Sequence, residues 1–321
     1  MKKITSILIM IILMYISISI LVDSESILKS VLFSLNVFKE NIFPSLFPFF
    51  VLSNILVKCG FVEFVSEIFK GLMGKLFKIK GAAAFVFIMS IISGNPANAK
   101  YTKELLDSGR LNIHEATKVL CFTCFSNPLF ILGTVAITFL NNKEAGLLIL
   151  ICHYLGNIII GVVMRNYYPS VDSGKISFKK AINDMHNKRI SNSESFGTIL
   201  TNSLTSSINT LLLVLGVITT FLVITTILSE TISINSVMQS TLNGFIEMTQ
   251  GLKYISMEAI PLKLKCVLAV MMLSFGGFSV HMQIMSILSN SGIKYLPFLC
   301  ARVMHSLISG TMAYVLFDFW F

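Results

Sequence analysis

The residues best able to do chemistry lie in two short runs. Ser93, Gly94, Asn95, Asn98 and Lys100 crowd the stretch SGNPANAK, and Gly276, Gly277, Ser279, His281 and Gln283 crowd a second stretch that follows Ser274. Ser126, Asn127, Arg302, His305 and Ser306 stand in apolar surroundings elsewhere. Nearly all of these side chains donate hydrogen bonds and none is a carboxylate. Glycine and proline interrupt helices, and a half-helix that starts at such an interruption presents free N–H groups and a positive dipole end. That combination suits an anion or a polar neutral molecule better than a metal cation.

The elements that must hold these runs are membrane helices. Of 321 residues, 54% are hydrophobic and 13% are charged, against about 25% charged in a soluble domain. The apolar residues come in blocks long enough to cross a hydrocarbon layer of about 30 Å. These blocks are Ile4 to Val22, Ile42 to Cys59, Val119 to Leu140, Leu147 to Met164, Ile208 to Leu228 and Leu296 to Phe319. The first reads as a retained span or signal anchor, because Asp23, Ser24 and Glu25 make a poor cleavage site.

Charge sets the orientation. Lys58, Lys70, Lys75, Lys78 and Lys80 occupy one loop, and Arg165, Lys175, Lys179, Lys180, Lys188 and Arg189 another, so the positive-inside rule puts both in the cytoplasm. The same rule accounts for the net charge of +9 without nucleic acid as a partner. Both termini are then expected in the cytoplasm. The sides balance only if residues 81 to 110, apolar to Ile92 and then polar, enter and return on one side as a re-entrant hairpin. A second short apolar arm, the Gly276-Gly277 break and a returning arm predict another hairpin over 266 to 292.

The expected fold is an all-α integral membrane protein of about six full spans plus two re-entrant hairpins in an inverted-topology repeat. Its parts are a terminal span over 1–26, a first repeat with one extra span over 27–165, a linker over 166–200 and a second repeat over 201–321. Paired broken helices near the midplane are where transporters of this architecture hold solutes.

Other chemistries find no support. GLMGKLFK, from Gly71, lacks the spacing and the Ser or Thr of a P-loop, and HExxH, GxSxG and zinc-spaced Cys/His sets are absent. Cys121-x-x-Cys124 lies in a span and reads as packing. No enzyme activity, cofactor or metal is expected. Lys100 reads equally as a snorkelling residue, and His281 and His305 as packing residues.

SGNPANAK, CFTCFSNPLFILGTV (Cys121 to Val135), HYLGNIIIGVVMR (His153 to Arg165), SFGGFSVHMQIMSIL (Ser274 to Leu288) and ARVMHSLISG (Ala301 to Gly310) resemble the YlbJ, or SpoVV, family of sporulation integral membrane proteins. The resemblance runs from about Ile27 to Phe319. That family carries the Gate, or nucleoside-recognition, domain and is distantly similar to concentrative nucleoside transporters. The resemblance implies transport of dipicolinic acid from the mother cell across the outer forespore membrane. Its expected partners are the bilayer and a small anionic or polar molecule, with homo-oligomerisation open. A nucleoside or polar-metabolite permease and a non-transporting scaffold of a sporulation complex are the alternatives. The family's break often reads SGYP, whereas Asn95 stands here in place of the aromatic residue.

Overall fold

The computed structural model describes residues 2–321 apart from Ser233, and the expected cytoplasmic placement of Met1 lies outside the described residues. Every regular element among the described residues is helical. Among the described residues six helices are long and apolar enough to cross a membrane, but they are not the six expected. Val119 to Leu140 is missing from the set, and Leu262–Ile287 joins it.

The chain begins with α1 (Lys2–Val22), whose most apolar stretch has no buried residue and so presents itself to lipid. α2 (Ser24–Val37) runs through a π-helical turn into α3 (Phe43–Lys58), forming one long crossing element. α4 (Phe61–Phe77) is amphipathic and carries α9 (Phe178–Ser191) on its outer face, so the polar linker is in part a docked helix. Glu67, buried on α4, fastens it by accepting the Ser177 N–H at 3.1 Å and pairing with Lys180 at 3.4 Å.

Three breaks divide helices that apolar content alone would join. α5 (Ala83–Ser93) and α6 (Ala97–Asp107) fold back on each other across Gly94, whose φ of +76° is a conformation glycine alone adopts without strain. α7 (Ile113–Phe122) stops inside the expected span, and the chain runs unwound through Thr123 to Asn127 before a π-helical segment, Phe130–Phe139. Asn127 is followed by a proline, which disfavours helical backbone at the residue before it. α13 (Leu262–Phe275) and α14 (Gly277–Ile287) meet at Gly276 and Gly277, with φ of +92° and +66°.

The remaining crossings are α8 (Lys143–Val163), α10 (Phe196–Thr231) and α15 (Tyr295–Trp320). Between α10 and α13 lies α11 (Ser236–Ile246), which turns back at Glu247 into α12 (Met248–Met257). These two pack so closely that a Cβ on Gly251 would lie 2.0 Å from the Gly244 Cα.

The last break corrects the expected hairpin over 266–292. Cys266 and Leu273 sit in one core cluster with Phe130 and Leu148, whereas Val280 and Ile284 sit in another with Leu111 and Val119. Lys263 at the start of α13 pairs with Asp318 at the end of α15 at 2.6 Å. Gly292, after α14, lies against Ile113 near the basic loops, 3.2 Å from a Cβ built on it. Residues 262–287 therefore run from one end of the protein to the other instead of folding back. The segment that does fold back is 236–257, read from sequence as an external loop. One more crossing in the second half puts Phe321 at the end opposite the basic loops, so the C-terminus is not on the side expected.

Candidate functional site

Breaking a helix in lipid frees carbonyls that water cannot reach, so each must find a partner in the protein. At the first break Asn127 donates its amide to the Ile92 and Ser93 carbonyls, both at 3.2 Å, and the Tyr154 hydroxyl reaches Ile91 O at 3.0 Å. A Cβ on Gly94 would lie 2.6 Å from the Asn127 backbone nitrogen, so the first break is pressed onto the second.

The second and third breaks share Arg302, which is fully buried on α15. Its guanidinium donates to the carbonyls of Cys121 and Cys124, to Ser274 O and to Asn157 Oδ1. It also donates to His305 Nδ1 at 2.9 Å, which leaves His305 Nε2–H to donate to His153 O at 2.8 Å. His153 Nε2 in turn accepts the Ser126 N–H at 2.9 Å, so its Nδ1–H points at Ser274 Oγ, 3.0 Å away. Both imidazoles are thus neutral with one tautomer each. Arg302 is occupied as a fork that ties three elements together, not aimed at a solute.

His281 is committed in the same way: Nε2–H donates to Phe275 O and Nδ1 accepts from the Tyr295 hydroxyl, both at 2.9 Å. Asn98 is fully buried with neither end of its amide hydrogen-bonded, but it lies away from the central pocket. Lys100 also stands apart. Its Nζ donates to Ser206 Oγ at 2.9 Å and sits 5.9 Å over the Phe50 ring.

The structure does bring five of the remaining predicted residues to one place. Asn95, Ser126, Asn127 and Gln283 line a narrow central pocket, and the Gly277 break supports one wall of it through contact with Met248 and Ile246. About 50 Å³ is open there to the centre of a water-sized sphere, room for a few waters. Ile42, Leu46, Phe130, Val214, Ile218 and Val280 make the walls apolar. The Ser126 hydroxyl has no hydrogen-bond partner, and the Asn95 amide has only the weakly bonding Cys124 thiol beside it, so both groups are left for the pocket. Ser93 is buried behind them, with its hydroxyl beside that of Tyr101.

Glu247 was missed by the sequence reading. It caps α12 with Oε2, which accepts the Gln250 N–H at 2.9 Å, and Oε1 faces the Ser279 hydroxyl at 3.4 Å. Only 1% of it is exposed, and it lines the pocket opposite Asn95. The absence of a carboxylate from the expected site is therefore corrected. The signal in the sequence was the pair Gly244 and Gly251 bracketing it, which permits two helices to close into a hairpin.

α10 passes three cavities in order. Asn202, Ser203 and Ser206 line a cavity of about 570 Å³ at the basic end, together with Lys58, Lys100 and Lys103. Val214 and Ile218 line the central pocket, and Thr226, Ser229 and Glu230 line a cavity of about 410 Å³ at the other end. Eight residues, about 12 Å of helix, separate Ser206 from Val214 and Ile218 from Thr226. Fully buried Phe50 and Leu211 fill the first interval, and Leu222 with Thr225, hydrogen-bonded to Gln250, fills the second. Buried side chains thus separate the pocket from the wider cavity on either side along α10.

These features define a helical membrane protein with a narrow, apolar-walled pocket at its centre that carries a few polar groups. Residues 40–143 match the Gate family, described as nucleoside recognition. Over 348 aligned positions the chain is 32% identical to the sporulation integral membrane protein YlbJ of Bacillus subtilis (strain 168), taking in 98% of this chain and 84% of that protein. The chain belongs to the YlbJ family of sporulation integral membrane proteins. No solved structure matches it.

Proposed function

We propose that this chain is a transporter of the sporulating cell that carries a small carboxylate-bearing ring, dipicolinate, through the central pocket. The observation that carries the reading is the order of cavities along α10: a wide polar cavity, a seal, a narrow pocket with uncommitted donors, a second seal and a second wide cavity. A scaffold has no use for such a sequence of spaces. Asn95, Ser126 and Gln283 would donate to carboxylate oxygens while Phe130, Val214 and Ile218 cover the ring faces. Lys58, Lys100 and Lys103 would draw an anion to the basic end.

In this reading the basic loops are cytoplasmic and the membrane is the outer forespore membrane. The repeat pairs α5–α6 with α11–α12 as re-entrant hairpins, α7 and Phe130–Phe139 with α13–α14 as broken crossings, and α8 with α15. Contacts support that pairing, since α6 packs on α14 as α12 packs on Phe130–Phe139. The second hairpin would enter from the side opposite the first, and rocking of the halves would open one seal at a time.

Uptake of labelled dipicolinate and labelled uridine by proteoliposomes of the purified protein tests the substrate. Saturable dipicolinate uptake is expected. Uridine uptake alone would favour a nucleoside permease, and flux of neither would leave a scaffold.

A further inference from the structure

The pocket proposed to carry an anion contains a carboxylate, and the two must be reconciled. Among the described residues that line the pocket, Glu247 is the one titratable group. Two carboxylate charges held together between apolar walls repel strongly, because little water is present to screen them. No cation on a neighbouring element compensates. α11, the Phe130–Phe139 segment and the part of α10 between Val214 and Leu222 carry no charged residue. On α13, Lys263 is paired with Asp318 and Lys265 donates to Ser256 O. On α12 itself, Lys253 lies over the Phe33 ring. His281 of α14 is held by Phe275 O and the Tyr295 hydroxyl.

We propose that Glu247 takes up a proton when an anionic solute occupies the pocket, so that solute and proton cross together. The proposal rests on the transport reading above. Oε2 stays engaged with the cap of α12 in both states, which leaves Oε1, beside Ser279, to bind the proton. The proton comes from the side to which the pocket is open, forms one O–H bond, and leaves with the solute on the other side. The hydroxyl of Ser279 and the N–H of Gln250 both donate to the carboxylate and so stabilise its ionised form.

The test uses proteoliposomes of the full chain with labelled dipicolinate and an entrapped pH dye. Wild type is expected to acidify the lumen as dipicolinate enters, and its exchange rate is expected to fall about tenfold per pH unit above the midpoint, as one proton requires. In Glu247→Gln, dipicolinate drives no proton entry and whatever exchange remains loses its pH dependence. Ser279→Ala, which removes a stabiliser of the carboxylate, shifts the midpoint of exchange to higher pH. Proton entry surviving in Glu247→Gln, an unmoved midpoint in Ser279→Ala, or uptake that follows a sodium gradient would overturn the coupling while leaving transport intact. A wild type that moves no dipicolinate would overturn the transport reading and the coupling with it.

Discussion

The two helical turn-backs facing the central pocket share a geometry and differ in chemistry. α5–α6 turns at Ser93 to Pro96 and rests on Asn127, while α11–α12 turns at Glu247 and rests on the Gly277 break. In each, glycine lets one backbone lie directly on another. The first turn offers a neutral amide and one hydroxyl, and the second offers an acid that already caps a helix. In the proposed reading one side of the pocket holds the solute and the other responds to its charge. Arg302, the strongest cation in this region, belongs to neither role, since its fork is spent on backbone carbonyls.

The largest effect on the comparison should come from removing that fork. Arg302→Ala leaves the Cys121, Cys124 and Ser274 carbonyls buried without this donor, at about 1–3 kcal/mol for each that stays unpaired. The variant should show the greatest loss of thermal stability in detergent. A melting temperature equal to wild type would mean that Arg302 is not a structural tie. Gly94→Ala should come next. The new Cβ meets the Asn127 backbone nitrogen at 2.6 Å, in a backbone region costing an L-residue about 1–3 kcal/mol. Wild-type stability in Gly94→Ala would show that the turn does not rest on Asn127.

Asn95→Ala separates binding from folding. Its amide has no stronger partner within the protein than the Cys124 thiol, so stability should be unchanged or slightly raised. Solute affinity should fall about tenfold, as expected for one hydrogen bond to a charged group. Loss of stability with affinity intact would assign Asn95 to packing. The smallest effect is expected at Lys100, which gives up one bond to Ser206 at the rim of the wide basic cavity. Lys100→Ala should slow uptake a few-fold at low salt and hardly at high salt. A loss that is independent of salt would place Lys100 in the pocket instead.

Much of this was legible in the sequence. Apolar block lengths gave the membrane class, and glycine and proline marked two of the three helix breaks, because both act through local backbone geometry. The break before Pro128 was hidden by the apolar residues on either side of it, although Ser126-Asn127-Pro128 carries the turn signal. The second hairpin was misplaced for a related reason. Gly276 and Gly277 interrupt a helix without saying whether the chain reverses, and that is decided by what α13 and α14 pack against. Glu247 escaped because a balanced, moderately polar segment reads as a surface loop when its packing partners are unknown. Arg302 looked functional because a buried cation is costly, and only the carbonyls freed by distant breaks reveal what satisfies it.

The central claim is that solute crosses through the pocket beside Val214. The direct measurement is labelled dipicolinate flux in proteoliposomes of wild type and Val214→Trp, at equal amounts of folded protein. The account predicts saturable flux in the wild type and none in the variant, whose indole would fill the pocket. Equal flux in the two would contradict it.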